Sequence, residues 1–171
     1  MTNSPARSRP LHAQASKTES FTLLSEIWGE QLALCDALER LADALPAGLD
    51  RFHCLRLART IPAVLDRAHK LEELLLFPLL QDRTAASPAF AAIIDRLRFE
   101  HLEDDAYADE LYDALSARGW GRPKPSAETL GYMLRTFFAA TRRHIHFDRD
   151  VLMPLLLAGT GDTARLSCSA P

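Results

Sequence analysis

The sequence predicts an all-α protein, an antiparallel up-down-up-down four-helix bundle, and three observations carry that prediction. Apolar residues recur at three- and four-residue steps in four long segments. Proline and glycine clusters punctuate the chain between those segments. No stretch shows the alternation of a strand bounded by turn signals. Four helices of about 25 to 32 residues with short connections suit a single up-down bundle.

The first segment opens at Phe21 and carries Leu24, Ile27, Trp28, Gln31, Leu34, Cys35, Leu38, Leu41, Ala42 and Leu45 on one stripe, until Pro46-Ala-Gly48 stops it. Asp50 is placed to cap the second helix, which runs to about Gln81 with Leu57, Ile61, Val64, Leu65, Ala68, Glu72, Leu75 and Leu76 toward the core. Pro62 falls inside it, so a kink one turn earlier or a late start is expected. After the turn-like 82–88, a third helix follows to about Ala117, with Ile93, Ile94, Leu97, His101, Asp105, Ala108, Leu111, Tyr112 and Leu115 in line. Gly119-Trp-Gly-Arg-Pro-Lys-Pro125 ends that helix, and Ser126-Ala-Glu128 opens the fourth. Its stripe is Leu130, Met133, Leu134, Phe137, Phe138, Thr141, His144, Ile145, Asp148, Leu152 and Leu155.

The chain has 171 residues, 47% of them apolar, which suits one domain with a sizeable core. The expected organisation is a polar, disordered lead-in over 1–18, a bundle over 19–158 and a flexible tail over 159–171. The 20 basic and 23 acidic residues, net charge −3, are well mixed, which argues against a nucleic-acid surface. No apolar run approaches the roughly 20 residues of a membrane span, and the first residues lack a signal peptide's apolar core. The three cysteines, Cys35, Cys54 and Cys168, lack metal-knuckle spacing and suit reduced thiols. A cytoplasmic location is therefore expected.

Three histidine-carboxylate pairs at i,i+4 stand on three different helices: His69 with Glu73, His101 with Asp105, and His144 with Asp148. At 3.6 residues per turn such positions stack on one face about 6 Å apart, within reach of one cation. A carboxylate facing a bundle core without a partner costs several kcal/mol. Counted from the helix ends, the second and third pairs differ in depth by about one turn, close enough to converge. A shared metal centre accounts for all three. Imidazole with carboxylate suits iron, manganese or zinc. The lack of thiolates disfavours a structural zinc site, and the imidazoles disfavour magnesium or calcium.

With His69 to Pro78 (HKLEELLLFP), Glu100-His101 and His144 to Pro154 (HIHFDRDVLMP), the chain resembles the hemerythrin-like (HHE cation-binding) family over about residues 21–157. The resemblance implies a four-helix bundle holding a non-haem di-iron centre, two Fe per chain, that binds a diatomic such as O2 or NO. Matched by position, the metal ligands would be His69, Glu73, His101, His144 and Asp148, with Asp105 where many members have another ligand. The family's first-helix histidine is absent. Glu30 and Glu26 are the candidate substitutes there, Gln31 lies on the core stripe, and Trp28 is placed to cap the cavity. Glu72 competes with Glu73 because it lies nearer the centre of the buried stripe, and it is the runner-up because the spacing from His69 favours Glu73.

His146 and Asp150 repeat the spacing on a stripe shared with Arg142 and Arg143, and read as a solvated face. His53 and His12 read as ordinary residues, and Phe77, Phe137 and Phe138 as core. Tyr107 and Tyr112 read as surface or core packing, with a small-molecule channel as the alternative. The functional expectation is an iron protein that binds or senses oxygen, nitric oxide or iron. The alternative is a metal-free helical interaction module, and an iron-dependent oxidase or peroxidase ranks below both. No nucleophile or organic-substrate pocket is visible, and no protein partner is indicated.

Overall fold

The computed structural model describes residues 11–84, 88–123 and 125–158, without the side chains of 11–18, 84 and 158. Its elements are α1 (Leu11–Ala44), α2 (Arg51–Leu71), a π-helical turn (Glu72–Leu76), α3 (Phe77–Thr84), α4 (Ala89–Gly119), α5 (Ala127–Phe147), a second π-helical turn (Asp148–Leu152) and α6 (Met153–Ala158). Each π turn joins its flanking helices into one rod, so four rods form an all-α bundle, and the described residues contain no strand. Around the bundle, α1 packs on α2, α2 on α4, α4 on α5 and α5 on α1, as short antiparallel connections require.

The expected caps form. Asp50 accepts hydrogen bonds from the backbone N–H of Phe52 and His53, at 2.9 and 3.3 Å, and Ser126 accepts from Thr129 at 3.0 Å. α1 begins at Leu11, inside the stretch read as a lead-in. Residues 1–10 and the tail 159–171 lie outside the described residues. The late start expected of α2 is not observed. The helix runs unbroken through Pro62 because its first turns are capped by Asp50 and bury Cys54, Leu57, Ala58 and Ile61.

Both π turns stand just ahead of a proline, Pro78 and Pro154. In α geometry the proline ring would crowd the carbonyl four residues back. The wider turn relieves that contact, and the N–H groups of Phe77 and Met153 bond to the carbonyls of Glu72 and Asp148.

The core has two halves. One packs Leu34 to Ala42 of α1 against Cys54 to Leu65, Ala108 to Leu115 and Leu130 to Phe138. The other packs Leu24, Ile27 and Trp28 against Ala68, Leu76 to Leu80, Ile94, Leu97, Ile145 and Leu152 to Leu156. Among the described residues the buried polar side chains are Gln31, His69, Glu72, His101, Thr141, His144 and Asp148. On every rod they fall where one apolar half gives way to the other, so a polar layer crosses the whole bundle.

Candidate metal centre

α2 and its π turn bring His69 and Glu72 into the polar layer, α4 brings His101, and α5 with its π turn brings His144 and Asp148. Glu72 is the hub, with 0% of its surface exposed. Its Oε2 lies 2.9 Å from His101 Nε2 and 3.5 Å from His144 Nε2, and its Oε1 accepts the indole N–H of Trp28 at 2.7 Å. Asp148, equally buried, has Oδ2 at 3.3 Å from His144 Nε2. Glu72, His101 and His144 each offer a ligand atom, and these atoms lie within 4.8 Å of one another.

The far nitrogens of the same imidazoles face peripheral carboxylates. His101 Nδ1 is 3.3 Å from Glu73 Oε1, and His144 Nδ1 is 3.1 Å from Glu100 Oε2, while the other oxygen of Glu100, Oε1, accepts from Arg96. His69 stacks on His101 with ring centroids 4.0 Å apart, and its Nδ1 lies 3.1 Å from Asp105 Oδ1. Phe77 covers the group, stacked on His101 at 5.6 Å.

Of the three i,i+4 pairs read from the sequence, only His144 with Asp148 meets within one rod. The other two exchange partners across the α2/α4 interface, His69 with Asp105 and His101 with Glu73. Glu73 and Asp105 are exposed, with 54% and 58% of their side chains open, and approach the histidines from outside. Glu30 and Glu26 are exposed on α1, where Glu30 pairs with Arg67 at 2.6 Å. The contribution of α1 to the layer is the Trp28 N–H and the Gln31 amide. His146 and Asp150 meet at 3.0 Å on the exposed face. Tyr107 stacks on Phe137, and Tyr112 is exposed.

The sequence held a signal for Glu72 besides its stripe. Counting back from the prolines, Glu72 and Asp148 each stand six residues ahead, at the first position of a π turn. The two rods repeat one design, and Glu72, rather than Glu73, is the counterpart of Asp148.

The electrostatics are those of buried imidazoles and carboxylates that set one another's protonation. Burial resists ionisation of Glu72, yet the hydrogen bond from His101 and the closeness of His144 hold its carboxyl at about 2. Burial also disfavours charge on His144, but Asp148 and Glu72 lift it to about 11. His101 is raised despite burial, through Glu72 and then Glu73. Burial and then His101 push His69 down to about 4, so its ring is neutral. Burial raises Asp148 above the usual carboxylate range, against the pull of His144. Asp104, half-buried beside Glu100 and Asp105, rises to about 6, chiefly through burial.

Several buried atoms of the layer lack a well-directed hydrogen bond even where a counter-group stands close: both carboxylate oxygens of Asp148, Nε2 of His144, Nδ1 of His69 and Oε1 of Gln31. Each such group costs about 1–3 kcal/mol when left unmade. A cation between Glu72, His101, His144 and Asp148 would satisfy most of them at once, so the donor set fits a metal. Between α4 and α5, Glu100, Asp104, Arg143, His144 and Phe147 line a cavity of about 260 Å³ that reaches the layer at His144.

The chain matches the hemerythrin HHE cation-binding domain over residues 23–156, a span that includes every residue of the polar layer. No curated protein and no solved structure matches it. Among the described residues no helix is long and apolar enough to cross a membrane.

Proposed function

The chain belongs to the hemerythrin HHE cation-binding domain family, and from that premise we propose that its polar layer holds non-haem iron and binds a diatomic ligand, O2 or NO. The observation that carries the reading is the set of buried ligand atoms on Asp148 and His144 that lack a well-directed hydrogen bond beside the Glu72 hub. Buried polar groups are ordinarily paired, and this donor set is paired once an ion is present. Glu72, His101, His144 and Asp148 would hold it.

When bound, iron supplies a redox-active Lewis acid with a coordination position open to a small molecule. The chain's own residues do the rest. Glu73 and Glu100 accept Nδ1–H of His101 and His144, which turns both Nε2 lone pairs inward and fixes the tautomer. Trp28, Leu76, Phe77 and Leu97 belong to the apolar half on one side of the layer and Phe137 to the half on the other, which keeps the hub carboxylate of Glu72 out of contact with solvent. The cavity beside His144 has room for a diatomic and is walled by charged groups and one aromatic ring.

The test is elemental analysis of the purified chain, with ultraviolet-visible spectra before and after anaerobic loading with ferrous iron and then on exposure to O2 and to NO. Iron that survives desalting and a charge-transfer spectrum that changes with either gas are the expected results. A chain that retains no iron refutes the proposal. Iron that ignores both gases would refute the ligand while leaving the metal.

A further inference from the structure

We propose that the layer takes one metal ion rather than two, because Trp28 occupies the place and the carboxylate oxygen that a second ion would need. The inference rests on the metal-binding reading above. A pair of metals sits about 3.5–4 Å apart, held by carboxylates that share their oxygens between the two ions. Glu72 is the carboxylate at the centre, and its oxygens are not equivalent. Oε2 faces His101 and His144, whereas Oε1 is taken by the Trp28 N–H at 2.7 Å.

The indole itself is 1% exposed and packed into the apolar half of the core, so it is not free to swing away. Among the described side chains of α1 no other donor stands in the layer except the Gln31 amide, and neutral amides are weak ligands for iron beside imidazole and carboxylate. On the α2/α4 side, His69 has its Nδ1 turned to Asp105 and its ring laid flat on His101. Among the described residues one group of three ligand atoms converges, Glu72 with His101 and His144, and Asp148 stands next to it as the fourth. One ion satisfies that set. A second would have to displace a buried hydrogen bond from Glu72, and among the described side chains of α1 no imidazole or carboxylate enters the layer.

Stoichiometry decides the matter without reference to gas binding. The chain has two tryptophans, so in Trp120→Phe the emission reports Trp28 alone. Anaerobic ferrous iron should quench that emission with a break at one equivalent, and metal analysis after desalting should give about one iron per chain. Trp28→His restores a donor on α1 and frees Oε1, and should raise the count to about two; Trp28→Phe frees Oε1 without adding a donor and should leave it at one. A break at two equivalents in the chain with Trp28 intact, or unchanged Trp28 emission on loading, overturns the inference while leaving the metal reading. A folded Trp28→His protein that still takes one iron overturns the role given to Trp28. Zero iron in the unaltered chain overturns the metal reading and this inference together.

Discussion

Replacing Glu72 by Gln removes the charge at the hub and keeps its shape, and the structure sets the size of the effect. The pairing with His101 and His144 holds the carboxyl at about 2 against an ordinary 4.5. A difference of that size corresponds to about 3 kcal/mol at 1.36 kcal/mol per pKa unit. The sign follows from linkage: a carboxyl held low stabilises the fold above its unfolded pKa, and that stability fades as pH falls from about 4.5 toward about 2. With a chelator present, Glu72→Gln should therefore lower the stability of the metal-free protein by about 3 kcal/mol at pH 7, with the gap narrowing below pH 4.5. For a chain of this size that is a fall of roughly 6–12 °C in Tm. Urea unfolding followed by circular dichroism at pH 7 and at pH 3.5 measures both quantities. A loss under 1 kcal/mol at pH 7, or a gap that does not narrow in acid, would show that the histidines do not hold this carboxylate charged.

Glu73→Gln and Glu100→Gln should each retain the metal but weaken it about 10–100-fold in competition with a chelator, because these carboxylates orient imidazoles from behind; complete loss of metal in Glu73→Gln would make Glu73 a ligand. Gly119→Ala should destabilise the fold by about 1–3 kcal/mol, read as a lower urea midpoint, since a Cβ there would lie 2.5 Å from Leu55 Cγ and 3.1 Å from the Arg51 carbonyl. A neutral result would mean that α2 and α4 can separate at that end without cost. Burial pushes the Cys35 thiol up to about 12 and raises Cys54. Iodoacetamide at pH 8 should spare both in the native protein and label both in urea, and mass spectrometry that finds Cys35 alkylated in the native state would contradict its burial.

The sequence by itself determined the bundle, its punctuation and the polar residues that enter its core. Periodicity is a local property, and four amphipathic stripes separated by Pro46-Ala-Gly48 and Gly119-Trp-Gly121 leave little room for another architecture. Asp50 and Ser126 were legible as caps for the same reason, since a cap acts within three residues. The stripe also placed Glu72, His101, His144 and Asp148 toward the core, and all four are buried. What the sequence could not determine was which partner each group meets. An i,i+4 spacing states who is adjacent on one helix, whereas at the α2/α4 contact a side chain finds a closer partner on the neighbouring rod. His69 therefore faces Asp105, and His101 faces Glu73. The choice between Glu72 and Glu73 turned on the same distinction, because burial follows the stripe while pairing from His69 pointed one residue further. Trp28 was legible only as a core residue. That its N–H lands on Glu72, 44 positions away, is set by the packing of α1 against the first π turn, which no local pattern encodes.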